Sequence, residues 1–157
     1  MNQDSSESAI LKKHFPFDRL KDEELDSLFN SGQVKEYSTD EVIFNEGDRA
    51  YTLYLLLDGW VDIVVEANKQ GQPRQLATTL TTGNVFGWSA LVEPYVYTSS
   101  AICASPVQAI GFDRIKLQTL FETNQRLCYT MTMRVCQVIV SRLHSTRRQM
   151  VSMFVLN

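Results

Sequence analysis

"LYLLLDGWVDI", residues 53–63, places an Asp-Gly pair between two runs rich in aliphatic residues. Apolar runs of this length are typical of strands. Asp58-Gly59 suits a tight hairpin turn, because glycine adopts positive φ at little steric cost. The stretch therefore predicts two short strands connected by a sharp turn.

Short apolar segments continue on both sides of this stretch. They are rich in Val, Ile, Leu, Tyr or Thr and occupy residues 34–38, 41–44, 74–80, 99–104 and 107–112. Turn residues separate the segments at spacings of roughly 8 to 12 residues, as in β-sandwiches, barrels and rolls. "NKQGQP", residues 68–73, suits a looser turn. The centre of the chain is thus predicted to be mainly β.

Helical patterns flank the β segments. Residues 22–30 place Leu25, Leu28 and Phe29 on one face and precede Gly32, which predicts a short amphipathic helix. Residues 125–154 have a helical period throughout and predict one long helix. The fold class is therefore α+β, with β strands between a short N-terminal helix and a long C-terminal helix.

The apolar residues of the long helix cover more than half of its circumference. One supporting surface is not enough for so wide an arc. We expect the β domain to cover part of it and the same helix of a second subunit to cover the rest, with Val135, Ile139 and Leu143 in a homodimer interface. The alternative is a helix buried wholly against its own domain.

Composition narrows the class of protein. With 157 residues and 44% hydrophobic content, the chain is long enough for one domain with its own core. No apolar run approaches the ~20 residues that span a bilayer, and residues 1–10 lack the basic and apolar order of a secretory signal. We expect a cytoplasmic protein without membrane association, whose three cysteines are core or interface residues.

Charge divides the chain into two parts. Residues 1–122 carry ten Lys and Arg against eighteen Asp and Glu, whereas residues 123–157 carry five Arg and no acid. The basic part coincides with the long helix, so the two parts are expected to have different roles. Because the arginines are spread around the helix, a solvated or partner-facing surface is favoured over nucleic-acid contact.

Three motifs resemble the cyclic-nucleotide-binding domain of the catabolite-activator (Crp/Fnr-like) family and of kinase regulatory subunits. They are "EVIFNEGD" at 41–48, "LYLLLDGWVDI" at 53–63 and "GNVFGWSAL" at 83–91, in the family's order. The resemblance implies a cyclic-nucleotide-binding-like β-roll, that is, a jelly roll or double-stranded β-helix. The expected boundaries are 1–11 for a flexible N-terminus, 12–122 for the β-roll with its N-terminal helix and 123–155 for a long dimerisation helix.

The family's phosphate-binding cassette contains F-G-E-x-A-L followed by P-R-[S/A]-A. The resemblance implies a short helix whose amides face the cyclic phosphate, an arginine that pairs with the phosphate and a glutamate that accepts from the ribose. Here Phe86 and Gly87 match, but Trp88 stands at the glutamate position. The arginine position lies between Tyr95 and Thr98, depending on how the loop is counted, and no Lys or Arg occurs between Arg74 and Arg114.

The cassette still offers amides and hydroxyls to a ligand. The candidate ligand-binding residues are Phe86, Gly87, Trp88, Ser89, Ala90, Tyr95, Val96, Tyr97, Thr98, Ser99 and Ser100. Because two charge-assisted contacts are missing, we expect cyclic AMP and cyclic GMP not to bind at cellular concentrations. Trp88, Tyr95 and Tyr97 either stack on another small-molecule ligand or fill the cavity themselves.

The sequence indicates no catalytic or metal chemistry. His14 and His144 lie near opposite ends of the chain, which does not favour a metal site. Cys103 has no nearby histidine that could act as a base, and phosphate-loop and dinucleotide motifs are absent. We expect no enzyme activity, no cofactor and no metal.

These observations predict a non-catalytic ligand-sensing or regulatory module. One alternative is a true cyclic-nucleotide receptor with an atypical donor set. Another is a ligand-free dimerisation or adaptor domain that binds a partner protein. The sequence ends at "SMFVLN" without a helix-turn-helix, so we expect a stand-alone module that does not bind DNA sequence-specifically.

Overall fold

The computed structural model describes residues 8–66 and 73–155. Within these residues, eight strands in two antiparallel sheets combine with four α-helices and one 3-10 helix. The strands are β1 (Gly32–Tyr37), β2 (Val42–Phe44), β3 (Thr52–Asp58), β4 (Val61–Val65), β5 (Gln75–Leu80), β6 (Val85–Phe86), β7 (Ser100–Cys103) and β8 (Val107–Asp113). The helices are α1 (Ala9–Lys12), α2 (Asp22–Ser31), the 3-10 helix (Trp88–Leu91), α3 (Arg114–Thr123) and α4 (Gln125–Val155).

The predicted β-roll is confirmed. Its sheets have the strand orders β1-β8-β3-β6 and β2-β7-β4-β5. One apolar cluster lies between the sheets, and a second lies between the first sheet and the helices. In β3, Leu53 and Leu55 belong to the helix-side cluster, whereas Tyr54 and Leu56 belong to the roll interior. Because both faces of β3 are buried, its sequence is an uninterrupted apolar run.

Asp58-Gly59 connects strands of different sheets, since β3 belongs to the first sheet and β4 to the second. The prediction of a hairpin at this point is therefore wrong. Gly59 has a φ of 88°, and a Cβ there would lie 2.2 Å from the Pro106 carbonyl oxygen. The glycine correctly indicates a sharp turn, but it does not determine which strands pair. The looser turn falls between the paired strands β4 and β5, and its residues 68–72 lie outside the described part of the chain.

Helix α2 confirms the predicted short helix, and Gly32 ends it. The flexible N-terminus expected over residues 1–11 lies mostly outside the described residues. Residues 9–12, however, form α1, and Leu11 is fully buried in the helix-side cluster with Leu28. Packing of Leu11 therefore extends the ordered structure before the expected boundary at residue 12.

Helix α4 confirms the predicted long helix and follows α3, which was not predicted. Val135 is only 4% exposed within a single chain, so its assignment to a dimer interface is corrected. Ile139 and Leu143 are 38% and 48% exposed, and their part in a dimer stays a prediction. Neither α4 nor any other described helix combines the length and apolarity needed to cross a bilayer.

Candidate functional site

A tight backbone turn begins the cassette. Gly87 follows β6 with a φ of 73°, and the 3-10 helix starts at the next residue. A Cβ at residue 87 would lie 2.9 Å from the Thr52 carbonyl oxygen, so both conformation and close approach require glycine. Ala90 is fully buried in the roll interior, whereas Trp88 packs against the helix-side cluster. The turn thus directs neighbouring side chains to two different spaces.

Tyr97 fills the roll interior at the cassette. Its ring stacks on Phe44 with a centroid separation of 3.8 Å, and Phe44 also stacks on Tyr54 and Phe86. The Tyr97 hydroxyl donates to the Thr52 carbonyl oxygen at 2.8 Å and accepts from the Thr52 amide at 3.2 Å. Burial raises the pKa of Tyr97, so the hydroxyl stays protonated at neutral pH and retains both hydrogen bonds.

The second half of the cassette loop is fixed by residues 46–48. The amide and carbonyl of Tyr97 each make a 2.9 Å hydrogen bond to the backbone of residues 47–48. The hydroxyl of Ser100, which is 1% exposed, accepts from the Glu46 amide at 2.8 Å. This loop is therefore supported by protein contacts on both sides of Thr98, whose own side chain is exposed.

Tyr95 is half-buried and does not belong to the cluster of the roll interior. The guanidinium carbon of Arg114 lies 4.4 Å from the Tyr95 ring centroid and 5.5 Å from that of Tyr51. The next residue, Val96, pairs with Arg49 in an isolated antiparallel bridge. Of the three aromatic residues expected to stack on a ligand or fill the cavity, Tyr97 alone fills the roll interior.

Trp88 faces α4. The guanidinium carbon of Arg142 lies 4.4 Å from the Trp88 ring centroid, and its Nη2 donates to the Val85 carbonyl oxygen at 2.7 Å. A desolvated contact of this cation–π type contributes about 2 kcal/mol. Burial lowers the pKa of Arg142 to about 10, which leaves the side chain cationic at neutral pH.

A cavity of about 610 Å³ lies beside Trp88 and Arg142, between the second sheet and α4. Its volume falls within the range of small-molecule sites, roughly 300–1,000 Å³. Another cavity, of about 720 Å³, is lined by residues of β1, β8 and the turns at Ser38 and Asp58. The cavity of about 720 Å³ contacts no cassette residue, so the cavity of about 610 Å³ beside α4 is the candidate ligand site.

The predicted site residues do not converge on one space. Phe86, Ala90 and Tyr97 pack in the roll interior. The remaining ones are half-buried or exposed, apart from Ser100 with its bond to Glu46. Of the eleven predicted residues, Trp88 alone lines the cavity beside α4.

Sequence reasoning missed Arg142 as a neighbour of the cassette. Only residues of the cassette loop were considered as a source of positive charge, whereas folding brings Arg142 to the cassette from the C-terminal part of the chain. The available signal was an arginine on a predicted helix without acidic residues. Four other arginines of residues 123–157 share that signal, so it could not single out Arg142.

The exposed face of α4 has a coiled-coil spacing. Exposed side chains, mostly apolar, recur at alternating steps of four and three residues, the 3.5-residue period of a coiled-coil seam. We call this set the outer seam: Tyr129, Met133, Cys136, Val140, Leu143, Arg147, Met150 and Phe154. From Leu143 to Phe154 every side chain of α4 is exposed, so the described residues leave most of this part of the helix uncovered.

The described residues contain no group of three or more His, Cys, Asp or Glu side chains arranged to hold a metal ion.

The family model of the cyclic nucleotide-binding domain matches residues 34–124. The chain belongs to the cyclic nucleotide-binding domain family. The matched part includes the whole cassette, from Phe86 to Ser100, and β2 to β8.

Solved structures support the family and the fold. A protein from Geobacter metallireducens, named for cyclic-nucleotide binding, is 29% identical with a TM-score of 0.75, and the match covers 92% of this chain and 100% of that one. The sensor domain of the transcriptional regulator DNR from Pseudomonas aeruginosa is 18% identical with a TM-score of 0.73, over 92% of this chain and 95% of that one. The catabolite activator protein of Thermus thermophilus is 20% identical with a TM-score of 0.70, over 87% and 62% respectively. No curated protein matches this sequence.

Proposed function

We propose that the chain is a non-catalytic regulatory module of the cyclic nucleotide-binding type, whose cassette is not a receptor for cyclic AMP or cyclic GMP. The observation that carries this proposal is the Tyr97 ring, which stacks on Phe44 at 3.8 Å inside the roll. A ligand in that space would have to displace a buried ring and break its two hydrogen bonds to Thr52.

Electrostatics supports the same conclusion. No Lys or Arg occurs between Arg74 and Arg114, and Trp88 replaces the carboxylate expected to meet the ribose. A charge-assisted hydrogen bond contributes about 1.5–3 kcal/mol, and an anion buried without a counter-charge adds a desolvation cost. Loss of both contacts corresponds to several powers of ten in affinity. Cyclic AMP at cellular concentration is therefore expected to leave the cassette empty.

Helix α4 is the element through which such a module would act. A second copy of α4 fits the outer seam, because a two-fold axis places the same heptad positions opposite each other. Arg147 is the one charged member of the seam, and its pairing across a dimer would be repulsive. A ligand that binds two arrangements of α4 with different affinity would shift their populations and hence the dimer's output.

The proposal is tested by adding about 100 µM cyclic AMP or cyclic GMP and measuring the melting temperature, because a ligand that binds only the folded state raises it by mass action. We expect no shift, and no heat of binding by isothermal titration in the same buffer. A saturable upward shift with either nucleotide would overturn the proposal and favour a receptor with an atypical donor set.

A ligand-free dimerisation domain is the second candidate. It is favoured by two observations together, the filled roll interior at Tyr97 and the uncovered outer seam of α4. The two candidates differ at one place, the cavity between Trp88 and α4, which a ligand-free domain would not use.

A further inference from the structure

Strand β1 forms one edge of the first sheet. It pairs with β8 on one side, and no described strand pairs with its other side. Its residues from Gln33 to Glu36 are exposed. The edge strands β2 and β6 have only three and two residues, whereas β1 has six. The free side of β1 therefore offers backbone N–H and C=O groups over a length that another extended segment can use.

The side chains on one face of β1 line two cavities that meet. Val34 pairs with Ile110 of β8, and Glu36 pairs with Gln108. Because Ile110 belongs to the helix-side cluster, and cross-strand partners and alternate residues project from the same face, all four side chains lie on the helix side of the sheet. Gln108 lines both a cavity of about 380 Å³ and the cavity of about 720 Å³. The two cavities thus follow one another along β1.

The two cavities differ in chemistry. Apart from Gln108, the described lining of the smaller cavity is wholly aliphatic or aromatic, and it includes Ile10 and Val34 at 39% and 43% exposure. The larger cavity is lined by Glu36 and Asp58, without a Lys or Arg among its described lining residues. Neither carboxylate forms a salt bridge with a described residue.

Sheet register places the two carboxylates in one row. Glu36 of β1 and Asp58 of β3 both pair with Gln108 of β8, which lies between them. Neighbouring strands lie about 4.8 Å apart, so the row spans roughly 10 Å. Two negative charges without a cationic partner therefore lie beside the free edge of β1, next to an apolar cavity.

We infer that β1 is the docking site for an extended segment of a partner protein, which adds a strand to the sheet and carries an aliphatic side chain and a Lys or Arg two residues apart. Alternate side chains of an added strand project from the same face, so the aliphatic one lies beside Val34 and the basic one beside Glu36. Charge complementarity favours a basic segment. A second copy of β1 would bring a carboxylate and no cation to this face. The inference goes beyond the proposed function and depends on neither the cassette nor α4.

The test selects peptides of about ten random residues, displayed on phage, on immobilised wild-type protein. We expect the selected peptides to share an aliphatic residue and a Lys or Arg two positions apart, in either order. Each selected peptide is then synthesised in two forms, with one or the other alternate set of backbone amides N-methylated. One form should lose binding and the other keep it, because only every second N–H of an added strand faces β1. Peptides without this pattern, or equal binding of both forms, would overturn the inference.

Three variants at exposed positions of β1 locate the site. Glu36→Lys should weaken the selected peptides by about tenfold or more and abolish the preference for Lys or Arg, because a charge-assisted contact becomes repulsive. Val34→Thr should weaken them by about fourfold, since one methyl group of apolar contact is lost. Lys35→Gln is the control and should not weaken them, because Lys35 pairs with Ala109 on the opposite face of the sheet. Unchanged affinity in Glu36→Lys, or an equal loss in Lys35→Gln, would place the peptides elsewhere and overturn the inference.

Discussion

Tyr97 and Trp88 belong to the same cassette but lie in contrasting environments. Tyr97 is 5% exposed, and a stack of aromatic rings surrounds it between the two sheets. Trp88 is half-buried on the other side, where a cation of α4 covers its face and a cavity begins. Tyr97 fills the roll interior, whereas Trp88 forms part of the wall of the cavity beside α4.

The difference shows why a missing cassette arginine does not by itself define the function. On the closed side the Tyr97 ring occupies the roll interior, and its aromatic stack stabilises the fold. The open side keeps a cation, although that cation belongs to α4.

The largest expected effect separates these two sides. Tyr97→Ala should lower the free energy of unfolding by about 3–5 kcal/mol, because a buried ring is lost and a cavity remains. Trp88→Ala should cost about 1–2 kcal/mol, since the ring is half-buried and chiefly loses its contact with Arg142. Chemical denaturation of both variants under one set of conditions gives the comparison. Equal losses would contradict the contrast between a closed and an open side.

Opposite faces of α4 give the second test. Leu143→Glu places a charge in the outer seam and should shift a homodimer to monomers, weakening association by about 3 kcal/mol or more. Light scattering at micromolar concentration measures the mass. Arg148→Glu, a substitution on the same helix outside the seam, is the control and should leave the mass unchanged. A monomeric wild-type protein would refute the dimer.

Cys136 allows the register of that dimer to be checked. It is exposed at a seam position, whereas Cys103 is buried. In a parallel two-fold seam the two copies of Cys136 face each other, so a short bis-maleimide should link wild-type chains and fail with Cys136→Ser. A dimer without any cross-link would contradict this register while leaving the dimer itself intact.

Sequence patterns predicted the elements better than their contacts. Strand runs and the long helix follow directly from hydrophobic period, which local sequence determines. The pairing of β3 with β8, and not with β4, depends on which faces both sheets bury, and Asp58-Gly59 carries no such information. For the same reason Arg142 was missed as a cassette neighbour, because a contact between distant segments is a property of the packed molecule.

The third test introduces the two charges that the family's cassette motif carries. Trp88→Glu combined with Val96→Arg supplies both charges, but Tyr97 still occupies the interior and Val96 is held in its bridge with Arg49. We expect no binding of cyclic AMP and a loss of about 2 kcal/mol, or about 4–8 °C in melting temperature, because a charge replaces a packed ring. Isothermal titration and a thermal scan of the variant measure the two effects. Measurable nucleotide binding would mean that the roll interior can still open.

The smallest expected effect concerns one hydroxyl. Tyr97→Phe keeps the ring stack and removes the bonds to the Thr52 backbone, which should cost about 1 kcal/mol near pH 8. Burial raises the pKa of Tyr97 in the folded protein, so its stabilisation is complete below the unfolded value of about 10 and is lost as pH rises above it. The difference between wild type and Tyr97→Phe should therefore shrink between about pH 10 and 11. Urea denaturation at several pH values measures it. A difference that stays constant over that range would show that the Tyr97 hydroxyl ionises as freely in the folded protein as in the unfolded chain, and that the interior at the cassette is open to water.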